Sequence, residues 1–131
     1  MSTSAARRRA TAWAVVGVVL AFALVYGVRV AWLFMMATEG DVPVSSSVQL
    51  PSGATIVSEK KDCANGGCWV VLRVEPPEDQ SAEDLAATLG ATPQLQIAGN
   101  FVDPRTISVQ AHPVGRILEL RLDYWSQKWV P

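Results

Sequence analysis

The amino-acid sequence predicts an α+β protein: a single N-terminal transmembrane helix followed by a small exterior domain. In that domain an antiparallel sheet of about four strands carries one helix packed on a face. Three observations predict it. Residues 10–37 form one long apolar run with Arg29 as its only charge. Beyond the run come short segments rich in alternating or β-branched residues. Among them lies one short stretch with the start and stop signals of a helix.

The apolar run reads ATAWAVVGVVLAFALVYGVRVAWLFMMA, and its part Ala10–Val28 carries no charge over nineteen residues. A helix of about 20 residues crosses a hydrocarbon core of about 30 Å, and a helix bonds its own backbone groups where no water can. Trp13 and Trp32 stand nineteen residues apart, roughly 28 Å along a helix axis. That spacing suits one tryptophan at each lipid–water interface. Arg29 then sits about one turn inside the far interface. Its stem can snorkel outward, or its charge can pair with an acidic group of another membrane subunit.

Charge sets the expected orientation. Arg7, Arg8 and Arg9 precede the run, Glu39 and Asp41 follow it, and the next cations are Lys60 and Lys61. The positive-inside rule places residues 1–9 in the cytoplasm as a short tail, residues 10–37 in the cell membrane, and the rest outside. A cleaved signal peptide is the competing reading. The run exceeds the usual apolar length of such peptides, and the small-residue cleavage pattern near Ala37 is poor. An uncleaved signal-anchor is therefore expected.

Residues 38–47, TEGDVPVSSS, read as a linker by composition, and residues 48–131 as the exterior domain. From residue 38 onward seven basic residues stand against twelve acidic ones, a net charge of −5. Nucleic acid and anionic surfaces call for a basic face, so nucleic acid is not expected as a partner.

Within the domain, residues 54–61 and 68–75 read as strands, and Pro76–Pro77 end the second. Residues 81–90 read as a helix capped by Ser81 and stopped by Gly90. Ala82, Leu85, Ala86 and Leu89 share its buried face. Residues 94–98 read as a short strand. Residues 106–111 and 116–125 read as a hairpin around HPVG, with Ala111 opposite Arg116, Val109 opposite Leu118 and Ile107 opposite Leu120. That register puts Leu118, Leu120, Leu122 and Tyr124 in the core.

The only two cysteines lie in CANGGCW, residues 63–69. Setting Cys63 opposite Cys68 leaves the turn ANGG, whose Asn and Gly tolerate the positive φ of tight hairpins. Opposed Cα atoms lie about 4.5–5.5 Å apart, inside the range a disulfide accepts, and exported domains are oxidised. A disulfide staple is expected. The same register sets Leu72 and Val70 opposite Glu59 and Lys61, a poor match unless residues 54–61 are an edge strand. A metal clip lacks ligands, since His112 is the only histidine. A thiol redox pair, using Cys63 and Cys68, stays open as a third functional reading.

No catalytic, cofactor-binding or metal-binding constellation emerges. GxSxG, HExxH, P-loop and dinucleotide motifs do not occur. The acidic run EPPEDQSAED reads as a solvated loop and a helix cap, and a calcium-loop pattern is missing from it. A small envelope enzyme or ligand-binding domain using these acids or His112 remains the alternative. Spacings of the small-xxx-small type occur at Gly17–Ala21 and Ala23–Gly27. Trp69, Trp125 and Trp129 are candidate partner contacts, as tryptophan anchors interfaces, and Arg29 is a fourth.

The apolar segment, CxxGGCW, the PPxxQSAEDL helix start and the DPR turn together resemble uncharacterised membrane-anchored proteins of high-GC actinobacteria. The resemblance covers most of residues 48–125. It implies no activity and assigns no functional residue. The residues themselves lead to a non-catalytic expectation: an extracytoplasmic interaction module or accessory subunit of a membrane or cell-envelope complex. Its partners would be the lipid bilayer and a protein of the membrane or envelope.

Overall fold

The computed structural model describes residues 3–65 and 67–124. Helix α1 spans Thr3–Glu39, beyond both ends of the 10–37 run, so Arg7–Arg9 belong to the helix. It is long and apolar enough to cross a membrane, and no residue of its most apolar part is buried. Trp13 is 75% exposed, Phe22 73% and Leu24 70%. The chain divides into two units between Leu33 and Phe34.

In the second unit the last turn of α1 closes with the Asp41 N–H donating to the Met36 carbonyl at 3.0 Å. This is the six-to-one bond that satisfies a carbonyl at a helix C-terminus. The Lys61 ammonium donates to the Gly40 carbonyl at 2.7 Å, a cation placed where the helix dipole favours one.

Five strands form one antiparallel sheet in the order β1-β2-β5-β4-β3, close to the expected number of about four. They are β1 Thr55–Ala64, β2 Gly67–Glu75, β3 Gln94–Ile97, β4 Ile107–Val114 and β5 Ile117–Tyr124. Helix α2, Ala82–Thr88, precedes β3. Ser81 and Asp84 make a reciprocal capping box: the Ser81 Oγ accepts from the Asp84 N–H, and the Asp84 carboxylate accepts from the Ser81 N–H. These Ser81 hydrogen bonds hold the Asp84 carboxyl below its ordinary range.

The core lies on one face of the sheet. Val70, Leu72 and Val74 of β2, Val109 of β4 and Leu118, Leu120 and Leu122 of β5 meet Ala82, Leu85 and Ala86 of α2. Tyr124 shares this face but stays half-buried. Residues 38–47 do more than connect. Pro43 is fully buried, Val48 joins the core, and Val42 and Leu50 pack against it. Seven helical residues are too few to roof five strands, and this extended segment covers part of the remainder.

The β4–β5 register differs from expectation. Val109 faces Leu122, Ala111 faces Leu120 and Ile107 faces Tyr124. The strands run on through His112, Pro113 and Val114, and Val114 pairs with Ile117. The turn is therefore Gly115–Arg116 and not HPVG. Gly115 has φ +62° and, among the described residues, no non-glycine residue has positive φ, the pattern of a type II′ turn, whose twist matches a hairpin. Pro113 is tolerated because β3 reaches only to Gln110, which leaves this part of β4 at the sheet edge. The displacement is an even number of residues, so each side chain keeps its expected face.

The β1–β2 register is as expected. Cys63 pairs with Cys68, and the two are joined by a disulfide. Glu59 and Lys61 do face Leu72 and Val70, and they do so because β1 is an edge strand whose side chains are almost all exposed. The registers also define the two ends of the sheet. One end holds the β1–β2 turn, Ile97, Ile107 and Tyr124. The other holds Thr55, Glu75 and the β4–β5 turn.

Closing so short a loop in the unfolded chain stabilises the fold by about 2 kcal/mol. Cys63→Ala and Cys68→Ala should each lower the unfolding free energy by that amount, measured by denaturant titration of the detergent-solubilised chain. Wild-type membranes should yield no alkylated thiol until a reductant is added.

Candidate functional site

The face of the sheet opposite the core is half-buried, with Ser108 only 2% exposed. Strand alternation dictates what stands there. Trp69, Val71 and Arg73 come from β2, Glu119, Arg121 and Asp123 from β5, Ser108, Gln110 and His112 from β4, and Gln94 and Gln96 from β3. Across the strands one row runs Val71, Arg121, Gln110, Gln94, and a second runs Arg73, Glu119, His112.

The centre of this face is a cation stacked on an aromatic ring. The Arg121 guanidinium lies 3.9 Å from the Trp69 ring centroid, an arrangement that gains energy from the ring quadrupole. Arg121 Nε stands 3.6 Å from an Asp123 carboxylate oxygen, an ion-pair distance too long for a hydrogen bond. Arg121 Nε is buried without a hydrogen-bond partner among the described residues. Burial pushes the Asp123 carboxyl above its ordinary range, and the nearby Arg121 charge opposes that shift. Arg73 pairs with Glu119 at 3.2 Å, and the Gln94 amide donates to Ser108 Oγ at 2.7 Å. The result is a half-buried surface of stacked planar groups with amide and guanidinium donors, chemistry suited to holding another polar surface.

Trp69 is thus where alternation placed it, facing away from Val70 and Leu72. Arg29 is an exposed residue of α1. Trp125 and Trp129 lie outside the described residues. His112 is exposed and pairs in register with Glu119. The acidic run divides in two: Glu83 and Asp84 fall in the first turn of α2. Glu75, Glu78 and Asp79 line an open groove of about 320 Å³ with Gly115 and Arg116. His112 is not among its lining residues. No group of three or more His, Cys, Asp or Glu able to hold a metal occurs among the described residues. Cys63 and Cys68 are joined to each other as a disulfide.

A second constellation, at Arg105, escapes the sequence reading. Arg105 is only 6% exposed. Its Nε donates to Asp103 Oδ1 at 2.8 Å and its Nη2 to Asp103 Oδ2 at 2.7 Å, a two-point pairing. Its Nη1 donates to Asp41 Oδ2 at 2.6 Å, and the guanidinium lies 3.7 Å from the Tyr124 ring centroid. Hydrogen bonding to Asp103, with a further contribution from Asp41, raises the Arg105 pKa despite its burial. Burial raises that of Tyr124 as well. The triplet Asp103-Pro104-Arg105 reads as a turn. That its arginine is a buried hub becomes visible only once Asp41, sixty-four residues away, is brought beside it.

Comparisons with known protein families, with curated proteins and with solved structures find no match to this chain.

Asp103→Ala should cost about 2–3 kcal/mol, because it deprives a buried cation of its two-point partner. Asp41→Ala should cost less, about 1 kcal/mol or under, because it makes one contact to the guanidinium, and from a partly solvated carboxylate. Denaturant titration of the two variants beside wild type measures the difference.

Proposed function

We propose that this chain is a single-pass membrane protein, with a cytoplasmic N-terminus, whose exterior domain is a non-catalytic interaction module. It serves as an accessory subunit of a membrane or cell-envelope complex. The observation that carries the membrane part is α1 itself. Its apolar side chains are exposed, and a helix apolar on every side needs an apolar solvent. Arg7–Arg9 at its start and the acidic residues after it support the orientation, and a disulfide fits an oxidising exterior.

Topology is tested by a thiol probe that cannot cross membranes, since the disulfide leaves no native thiol to react. Ser52→Cys should label in intact cells and Ser4→Cys only after lysis. The opposite pattern overturns the orientation.

The module reading is supported by the Trp69–Arg121 face. A stacked arginine and tryptophan, flanked by amides and lacking a catalytic constellation beside them, form the kind of patch on which interface energy concentrates. Cross-linked capture from native membranes, with the tag at the cytoplasmic N-terminus, should retain one dominant membrane or envelope partner. Trp69→Ala should lose it while the disulfide and the unfolding midpoint change little. Equal capture by the variant, or no partner above background, counts against the module.

A further inference from the structure

Arg29 is the only charge between Arg9 and Glu39. It stands exposed on α1, and among the described residues no ion pair involves it. In water such an arginine is ordinary. In a bilayer its guanidinium has to reach the interface or meet a counter-charge.

The geometry of a helix weighs against the first route. Every Cα–Cβ bond of an α-helix tilts towards the helix N-terminus, and long side chains accordingly lie over the preceding turn. For Arg7, Arg8 and Arg9, at the start of α1, this direction leads away from the apolar run. For Arg29, near the far end of the run, it leads back towards the middle, over Val25 and Phe22. Those two residues precede it by four and seven positions on the same side of the helix. Snorkelling outward has to reverse that direction. Beyond Arg29 the uncharged residues 30–37 continue the same helix for about 12 Å more.

The span itself holds no counter-charge. No Asp or Glu precedes Glu39, which lies ten residues on, about 15 Å along the axis. A second copy inserted in the same direction brings another Arg29 to this depth and not a carboxylate.

We propose that Arg29 docks α1 onto a transmembrane helix of a different protein, through an ion pair within the bilayer with an Asp or Glu carboxylate of that helix. The partner packs on the side of α1 that carries Phe22, Val25 and Arg29. An arginine–carboxylate pair there makes two parallel hydrogen bonds where no water competes. The pairing rests on the accessory-subunit reading and on α1 as a span. It adds the contact and the chemistry of the partner.

Leu20 supplies the control. It precedes Arg29 by nine residues, two and a half turns, and so lies on the opposite side of α1 at a depth close to that of Phe22. Both are exposed, Phe22 at 73% and Leu20 at 64%.

The test uses the full chain in native membranes, tagged at the N-terminus, with the photo-cross-linking residue p-benzoylphenylalanine at position 22 or 20. One transmembrane protein should cross-link from position 22 in clear excess over position 20. Arg29→Leu should lower that yield by about tenfold or more, as expected when one member of a desolvated charge pair is removed. Arg29→Lys should keep most of it. Alanine in place of the partner's intramembrane carboxylate should lower the yield alike, and arginine there should restore it to Arg29→Asp. Should Arg29→Leu fail to insert, scored by labelling of Ser52→Cys in intact cells, Arg29→Gln takes its place. Equal yield without the charge, equal yield from both positions, or a partner with no acid in its span overturns the pairing and leaves the accessory-subunit reading standing. No cross-link from α1, with a partner still captured through the exterior domain, does the same. No partner by either route overturns both.

Discussion

The domain is organised around one buried cation. Arg105 reaches three parts of the chain that are far apart in sequence: the residues leaving α1 through Asp41, its own turn through Asp103, and the end of β5 through the Tyr124 ring. Burying a guanidinium carries a desolvation cost that only good geometry offsets. Here the planar fork meets Asp103 at two points and Asp41 at a third, while the aromatic ring takes its face. A lysine at this position would supply charge but neither the fork nor the flat stacking surface. Because both carboxylates stay partly solvated, the desolvation cost falls mainly on the arginine. The pairing fixes where the chain from α1 meets the sheet.

A second constraint follows from covering a five-strand sheet on one side with very little chain. Helix α2 contacts β4 and β5, and residues 42–50 contribute Val42, Pro43, Val48 and Leu50. Cover gives out toward β1, where Glu59 and Lys61 oppose Leu72 and Val70. An edge strand without apolar burial depends chiefly on its ladder hydrogen bonds, and the Cys63–Cys68 disulfide sits at the end of that ladder. The charged side chains on the same strand discourage pairing with other chains.

These constraints also decide what could be read from the sequence. The apolar helix, the capping box at Ser81 and the Cys63–Cys68 pairing depend on neighbours within a few residues, and they are legible there. The faces of β4 and β5 are legible because alternation is local. Their register is not settled by alternation: a displacement by an even number of residues leaves every face unchanged, and only the preference of Gly115–Arg116 for a two-residue turn separates the alternatives. The packing of Pro43 and the hub at Arg105 are invisible to local reasoning. TEGDVPVSSS has the composition of a linker, and its ordered role comes from contacts made after the sheet has formed. The Trp69 side of the candidate surface is legible from alternation. Its partner Arg121 is read as an ordinary outward residue until the register sets it beside the ring.

The acidic character of the domain bears on how it would meet a membrane. Twelve carboxylates against seven cations after residue 37 disfavour approach to an anionic surface. The repulsion falls off over a Debye length of about 8 Å at physiological ionic strength. At the end of the sheet that holds the β1–β2 turn, Asp41 and Asp103 share one cation, Arg105, and Lys61 donates to the Gly40 carbonyl. The opposite end, with Glu75, Glu78 and Asp79 around an open groove, keeps its charge in water. The domain is thus polarised along its strands. At the other end, the buried Arg105 offsets one of the two negative charges that it binds, those of Asp41 and Asp103.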